Sequence, residues 1–209
     1  MQRRGFAVAG FDLSDGMLEV ARRRCPEARL WRDAMQDFTD PHRYELVFSV
    51  LSSFKYLKTD DEVVGHLGRV ADVLVEGGIF VLGVHTTEYA YRGRTRERWV
   101  GTEDGVEVVC NIQSWPADRA TRRERVRSRL VVTDAAGRRG YETHWTFRTY
   151  DEDELLAVLG REPRLKIEAI YGFEHDVERP RLDLRDGRLD HVLVMKRIPG
   201  GDVGNQAEP

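Results

Sequence analysis

The fold of this chain is decided by a short stretch near its first residue, VAGFDLSDGMLEVA, which runs from Val8 to Ala21. An apolar segment ends at Asp12, and Ser14 follows as a residue type that commonly caps the amino end of a helix. A short strand followed directly by a helix predicts a βα unit of a parallel sheet. Asp12 would then lie at the carboxyl edge of that sheet, where ligands bind in open α/β folds.

The apolar pattern continues this alternation as far as residue 85. It predicts strands over residues 6–11, 28–31, 44–51 and 79–84, and helices that begin after Ser14 and Thr59. Thr59 and Glu62 have the spacing of a capping box, and Gly77 and Gly78 are expected to end that second helix. Residues 44–51 form the longest apolar run and predict a central strand buried on both faces.

The pattern changes after residue 85. Antiparallel strands are predicted over residues 106–112, 126–133 and 141–150, so that residues 86–150 form an antiparallel β insertion. A capped helix over 151–159 and two strands, over 165–171 and 191–197, complete a single domain of residues 1–198. The polar, glycine-containing tail of residues 199–209 is expected to be disordered.

The composition indicates which kinds of binding partner the chain is expected to have. The chain has 209 residues, of which 41% are hydrophobic and 33% charged, and its net charge of -3 gives no reason to expect a polyanionic partner. The sequence contains no apolar run long enough to span a bilayer and no signal core. Cys25 and Cys110 lie far apart without neighbouring metal ligands, which disfavours a disulfide or a metal site and favours a cytoplasmic protein.

Four segments together resemble the class I S-adenosylmethionine-dependent methyltransferases. They are GFDLS at 10–14 with Met17 after it, RDAMQDF at 32–38, YELVF at 44–48 and LVEGGIFV at 74–81. The resemblance implies an α/β fold with a Rossmann-like sheet, parallel except for an antiparallel last strand. The β insertion resembles the lid of members that methylate small molecules, including amino-sugar N-methyltransferases.

The resemblance assigns cofactor-binding roles by position. Asp12 would hold the ribose hydroxyls, Leu13 and Met17 would cover the adenine, and Asp33 would accept a hydrogen bond from its amino group. The remaining assigned residues are Ala34 and Met35 at the adenine edge, and Val50 and Leu51 beside the methionine part of the cofactor. Each carboxylate also has a plainer interpretation: Asp12 could hold the start of the helix, and Asp33 could be a turn residue.

The reaction implied is methyl transfer to the nitrogen or oxygen of a small molecule. Alignment of the acceptor supplies most of the rate in such a reaction, and a general base is needed only if the acceptor is protonated. Tyr56 and His85, which follow predicted strands, are the candidate catalytic residues. Tyr56 stands where the amino-sugar enzymes often have histidine, and it could instead be a packing aromatic; His85 could be a surface histidine.

Family members begin with a further strand and an acidic-x-Gly-x-Gly loop, which this sequence does not contain. The chain is therefore expected to be truncated at its amino end. In the family this strand lies beside the one ending at Asp12, so two strand edges would stay unpaired. We expect weak or no binding of S-adenosylmethionine and poor solubility.

Other functions stay open at this point. A nicotinamide-dependent oxidoreductase would use Asp12 in the same way, and a catalytically inactive remnant or binding subunit would keep the fold without the reaction. The basic run of residues 119–129 is compatible with nucleic acid, but its arginines alternate with Val126 and Leu130 as on a half-buried strand. We therefore expect a small-molecule acceptor rather than nucleic acid or a membrane, and a homodimer is compatible with the sequence.

Overall fold

The computed structural model describes residues 1–174, 176, 178–180 and 183–199. It contains parallel and antiparallel strands together with three helices in this part of the chain. The strands are β1 (Ala9–Asp12), β2 (Arg29–Arg32), β3 (Tyr44–Ser49), β4 (Leu74–His85), β5 (Thr95–Glu103), β6 (Val106–Ser114), β7 (Arg123–Asp134), β8 (Gly137–Arg148), β9 (Leu165–Tyr171) and β10 (Asp190–Arg197). The helices are α1 (Asp15–Arg24), α2 (Asp60–Val73) and α3 (Glu152–Leu159), with 3-10 turns at Gln2–Arg4 and Ser53–Tyr56. None of the helices in this part of the chain is long and apolar enough to cross a membrane.

The strands form three sheets. β1 and β2 are a parallel pair, while β3, β4, β10 and β9 form a second sheet in that order. In the second sheet β3 and β4 are parallel, and the last strand, β10, is antiparallel to both of its neighbours. β5 to β8 form a separate antiparallel meander. The predicted α/β class, with an antiparallel last strand and an antiparallel insertion, is confirmed.

Helix α2 packs on the β3–β4 sheet and contributes many of the core residues. The Thr59 side chain accepts a hydrogen bond from the backbone N–H of Glu62 at 3.1 Å and caps the helix, but only this half of the predicted capping box forms, because the Glu62 side chain accepts from the Lys58 N–H. Its apolar stripe, including Val63, Leu67 and Val70, is fully buried in the cluster that contains Phe80 of β4. This stripe fixes α2 against one face of the β3–β4 sheet.

The predicted end of α2 is wrong. The helix ends at Val73, and Leu74 is already extended and buried as the first residue of β4. Gly77 has a φ of 75° inside β4, where the pairing shifts from Tyr44–Leu74 to Leu46–Ile79. The glycine therefore permits an irregularity in the strand instead of ending the helix.

The interpretation of residues 44–51 as a central strand is also wrong for the described chain. β3 has only β4 beside it, and Leu46 and Phe48 are 38% and 53% exposed. β1 likewise has only β2 as a neighbour among the described residues.

The insertion contains one strand that the sequence did not predict. All nine residues of β5 are exposed, so the strand lacks the alternation of buried and exposed residues by which strands are found. The other three strands lie close to their predicted positions, and residues 135–136 lie in the predicted connection between β7 and β8. β7 alternates as expected, with Val126 buried and Arg125 exposed.

The last third of the domain follows the prediction closely. Asp151 accepts from the N–H of Glu154, whose side chain accepts in return from Asp151, and this capping box starts α3. β9 and β10 close the sheet as an antiparallel pair. The single-domain boundary at residue 198 stays a prediction, and the tail of residues 200–209 lies outside the described residues.

Candidate active site

A cleft of about 940 Å³ opens between β1 and β3. Seven of the ten predicted site residues line it: Asp12, Leu13, Asp33, Met35, Val50, Leu51 and Tyr56. Met17, Ala34 and His85 are not among its lining residues. Phe11 of β1 and Val47 of β3 pack against the same core cluster, which fixes the two sides of the cleft relative to each other.

Asp12 is the last residue of β1. Its Oδ1 accepts a hydrogen bond from the Ser14 backbone N–H at 2.8 Å, and the Ser14 hydroxyl accepts from Met17 N–H at 3.3 Å. The carboxylate therefore does hold the start of α1. Within the described residues its Oδ2 accepts no hydrogen bond, and a carboxylate has about four lone-pair sites. One side chain can thus support the helix and accept from a diol in the cleft.

Asp33 follows β2 directly and is tied to β1, because its N–H donates to the Asp12 carbonyl at 3.3 Å. Its Oδ1 accepts from Ala34 N–H at 2.8 Å, and its Oδ2 accepts from the Trp31 indole at 3.3 Å. These bonds shape a turn and also hold the carboxylate at the cleft wall. Ala34 contributes its backbone to this turn rather than a surface to the cleft.

Large apolar side chains are exposed at the rim. Leu13, Met17 and Leu51 are 62%, 58% and 82% exposed. A concentration of exposed apolar groups beside a concave surface is typical of a binding site. Leu13 and Leu51 lie on the cleft itself, whereas Met17 lies one turn into α1 and outside the lining set.

The loop after β3 is held in place by a close contact between its backbone and the backbone of β4. Ser52 N–H donates to the Gly83 carbonyl at 3.2 Å, and a Cβ at position 83 would lie 2.9 Å from the Val50 Cα. Ser52 is buried and has a φ of 57°, a left-handed conformation that is uncommon for serine. Gly83 and this strained turn place Val50 and Leu51 at the cleft.

Known proteins resemble this chain in sequence over a part of its length and in fold over most of it. No family model matches the chain. Over 75 residues, 36% of this chain, it is 39% identical to a dTDP-3-amino-3,4,6-trideoxy-alpha-D-glucopyranose N,N-dimethyltransferase of Streptomyces venezuelae, and the match spans about a third (32%) of that relative's length.

Solved structures match over more of the chain. The sugar N-methyltransferase KedS8 of Streptoalloteichus superimposes with a TM-score of 0.72 at 21% identity, covering 91% of this chain and 71% of that one. An S-adenosylmethionine-dependent methyltransferase of Clostridium acetobutylicum gives 0.72 at 16% identity, covering 93% and 76%. This chain has the fold of the class I S-adenosylmethionine-dependent methyltransferases. The resemblance drawn from the sequence is confirmed.

In this methyltransferase fold, Tyr56 lines the cleft and also packs against the insertion. The Tyr56 ring packs edge-on against Phe147, with centroids 4.9 Å apart, and the Lys58 ammonium lies 5.8 Å from the Tyr56 ring. Burial raises the pKa of Tyr56, so the phenol keeps its proton at neutral pH. Tyr56 is placed to donate a hydrogen bond, and its assignment as a catalytic residue stays a prediction.

His85 lies elsewhere on the sheet edge. It ends β4, is hydrogen-bonded to Asp190 of β10 and packs edge-on against Phe173 at 5.1 Å between centroids. The structure does not bring it together with the residues that line the cleft. Its role as a base also stays a prediction.

Sequence reasoning missed His66, which lines the floor of the cleft. It is 4% exposed, and burial lowers its pKa to about 4. A signal was available, because His66 lies three residues after Val63 and four before Val70, within the apolar stripe of α2. A polar residue in a buried stripe needs a partner, and this one has a single partner among the described residues, the Met35 carbonyl at 3.1 Å.

Proposed function

We propose that this chain is the cofactor-binding part of an enzyme that transfers the methyl group of S-adenosylmethionine to the nitrogen of a small amino sugar. The observation that supports it most is that Asp12, Asp33 and Leu51 line one cleft in a methyltransferase fold. The relatives favour nitrogen over oxygen as the acceptor atom, because they are named as N-methyltransferases of amino sugars.

The residues of the cleft fit this cofactor by their chemistry. Asp12 offers an unengaged carboxylate oxygen for the two ribose hydroxyls, and charge-assisted hydrogen bonds of that kind are the stronger ones. Leu13 offers an exposed apolar surface to a purine ring, and Asp33 offers acceptor oxygens to its amino group. When bound, the cofactor supplies an electrophilic methyl group.

The chain's own part in the reaction is to orient the acceptor and exclude water. Tyr56 lines the cleft near Val50 and Leu51 with its ring held by Phe147, and aromatic rings of this kind pack against the apolar faces of sugars. The Tyr56 hydroxyl can donate to an oxygen of the acceptor and thereby direct the amine towards Val50 and Leu51. The amine must lose a proton before or during transfer, and solvent at the open side of the cleft can take that proton.

The comparisons lend no support to a nicotinamide-dependent oxidoreductase or to an inactive binding subunit. A cytoplasmic location is part of the proposal, since both cysteines, Cys25 and Cys110, are free thiols. The fully exposed edge strand β5 offers a surface through which two copies could pair as a homodimer.

Cofactor binding is the first test. We expect the chain to bind S-adenosylhomocysteine weakly, with a Kd of about 1 mM, corresponding to about -4 kcal/mol, because the cleft is open between two strand edges. Ligand-detected NMR at high protein concentration measures such affinities. Asp12→Asn keeps an oxygen for the Ser14 N–H but removes the charge, and we expect it to weaken binding at least about tenfold.

Asp15→Asn is the matched control, because it removes the same charge three residues later, where Asp15 is exposed and ion-paired with Arg32. We expect this variant to bind like the wild type. Equal affinities for wild type and Asp12→Asn, or tighter binding of a nicotinamide dinucleotide, would contradict the proposal. Methyl transfer to a dTDP-linked amino sugar, followed by mass spectrometry at high enzyme concentration, then tests the reaction itself.

A further inference from the structure

The insertion sheet of β5 to β8 has one strongly basic face. Every second residue of a strand points to the same side of its sheet, so residues that pair across the strands form rows on one side. Three consecutive rows share a composition: an arginine on β5 or just before it, an aromatic or amide residue on β6 or just after it, and an arginine on β7. The rows are Arg94–Trp115–Arg125, Arg96–Gln113–Arg127 and Arg98–Asn111–Arg129. The side of the sheet that carries these nine residues is here called the arginine face.

The positive charge of the arginine face is largely unbalanced. Among the residues that the structure describes, Glu142 is the only carboxylate in ion-pair contact with one of the six arginines, and its partner is Arg129. Glu107 lies on the same side of the sheet, but two rows beyond Arg98 and level with Arg138. The net charge of -3 for the whole chain therefore does not describe this face, whose arginines repel one another unless an anion lies between them.

The arginine face also contains an aromatic ring. Three guanidinium groups lie 5.1, 5.6 and 5.9 Å from the centre of the Trp115 ring, those of Arg125, Arg127 and Arg94. Arg127 is held there by a hydrogen bond of 2.7 Å to the side-chain oxygen of Gln113, which is only 8% exposed. Three cations beside one ring provide for both parts of a nucleotide, because the ring can stack on a base and the cations can bind phosphates.

The arginine face points away from the cleft between β1 and β3. Val126, which alternates with Arg125 along β7, is buried on the opposite side of the sheet. Phe147 lies on that opposite side too, and Tyr56 of the cleft packs against it. A ligand bound to the arginine face would therefore not occupy the cofactor cleft.

We propose that the arginine face binds a single strand of nucleic acid, with phosphates along the arginines of β5 and β7 and one base against Trp115. Arginines within one strand repeat about every 7 Å, and the two arginine-bearing strands are about 10 Å apart. Such an extended array matches a chain of regularly repeated phosphates better than it matches one compact anion.

The shape of the sheet favours a single strand over a duplex. The major groove of DNA admits a helix or a two-stranded ribbon, whereas this sheet has four strands side by side. A single strand can instead lie across an open face and present its bases to an aromatic side chain. This site goes beyond the proposed function and does not rest on it, because no methyl transfer is involved.

The first test is the salt dependence of binding to a labelled oligothymidylate of about 12 nucleotides, measured by fluorescence anisotropy. For single strands, the slope of log K against log salt concentration is about -0.7 per phosphate contacted, so contact by all six arginines gives about -4. Arg96→Gln should reduce the magnitude of this slope by about 0.7. Arg139→Gln is the matched control and should keep the wild-type slope, because Arg139 pairs with Val132 on the side of the sheet opposite the arginine face.

Trp115 distinguishes nucleic acid from other polyanions. Trp115→Leu should weaken binding of the oligonucleotide about tenfold, the effect of one stacked base, and should leave the affinity for inorganic polyphosphate unchanged. Polyphosphate of equal charge should bind the wild type more weakly than the oligonucleotide does, since it has no base to stack. Arg96 is exposed, so its replacement tests the site even if Trp115→Leu fails to fold.

Equal changes of the salt slope in Arg96→Gln and Arg139→Gln would refute this site, as would polyphosphate that binds the wild type as tightly as the oligonucleotide. Stronger competition by phosphatidylserine vesicles would overturn it in favour of a membrane surface. Displacement of the oligonucleotide by dTDP at equal phosphate concentration would overturn it in favour of a mononucleotide site. Binding of S-adenosylhomocysteine is measured at the cleft and without nucleic acid, so the cofactor site and the arginine face can fail separately.

Discussion

At the scale of single residues, His66 links stability to pH. Burial lowers its pKa to about 4, whereas an unfolded histidine has a pKa near 6.5. Below about pH 6.5 the unfolded chain therefore binds a proton that the folded chain excludes, and stability falls until about pH 4. The free energy of unfolding should fall by up to about 3 kcal/mol more in the wild type than in His66→Phe over that range.

Urea denaturation at several pH values between 7 and 4.5 measures this difference. His144→Phe serves as the control, because His144 is exposed and its pair with Glu142 lies on the surface, where such pairs contribute little to stability. Parallel curves for wild type and His66→Phe would show that the imidazole is not buried in its neutral form.

Tyr56 gives a second prediction at this scale. Because burial raises its pKa above the usual value, it does not titrate between pH 7 and 9 and cannot act there as a base. Tyr56→Phe should lower the methyl-transfer rate about tenfold or less, the value of one hydrogen bond, and should leave the shape of the pH–rate profile unchanged. If the pH–rate profile of Tyr56→Phe lacked one of the two slopes seen in the wild type, Tyr56 would instead be identified as the base.

At the scale of the elements, Gly83 in β4 controls the position of the loop after β3. A side chain there would collide with the Val50 backbone, whereas Gly101 in β5 has no atom within 4 Å of its Cβ position. We expect Gly83→Ala to destabilise the fold by about 1–3 kcal/mol and to weaken cofactor binding, since Val50 and Leu51 must move. Gly101→Ala should do neither, and thermal unfolding with ligand-detected NMR compares the two variants. If the two variants behaved alike, the contact between Gly83 and the Val50 backbone would not determine the geometry of the site.

The same elements show what the sequence could predict. α2 and α3 were found because Thr59 and Asp151 have capping partners at the right spacing, and both caps are local in sequence. β5 was missed because all of its residues are exposed, so its sequence shows no alternation of apolar and polar residues. The start of β4 was misplaced because Gly77 lies at an irregularity within the strand, and that irregularity depends on the pairing with β3. Asp12 and Asp33 could be identified from the sequence because they end or directly follow short strands. His66 could be identified only from the structure, because its place in the cleft depends on what packs around α2.

At the scale of the whole molecule, Arg148 couples the insertion to the α/β core. At the end of β8 it donates to Asp60 at 2.5 Å and to the Lys58 carbonyl at 2.8 Å, both at the start of α2, and its side chain is only 12% exposed. Hydrogen bonds that involve a charged group contribute about 1.5–3 kcal/mol, and Arg148→Ala would also leave the Lys58 carbonyl without this donor. We therefore expect Arg148→Ala to lower the free energy of unfolding by about 2–3 kcal/mol.

The matched control for this coupling is Arg129→Ala. Arg129 pairs with Glu142 inside the insertion sheet, at an exposed position, and such pairs contribute about 0–1 kcal/mol. If Arg148 joins two parts that otherwise unfold separately, urea denaturation of Arg148→Ala should show two transitions, with the tryptophans of the insertion changing first. A single transition with the loss seen in Arg129→Ala would mean that the other contacts across this boundary, among them Tyr56 with Phe147 and Lys58 with the Thr146 carbonyl, hold the insertion without the arginine.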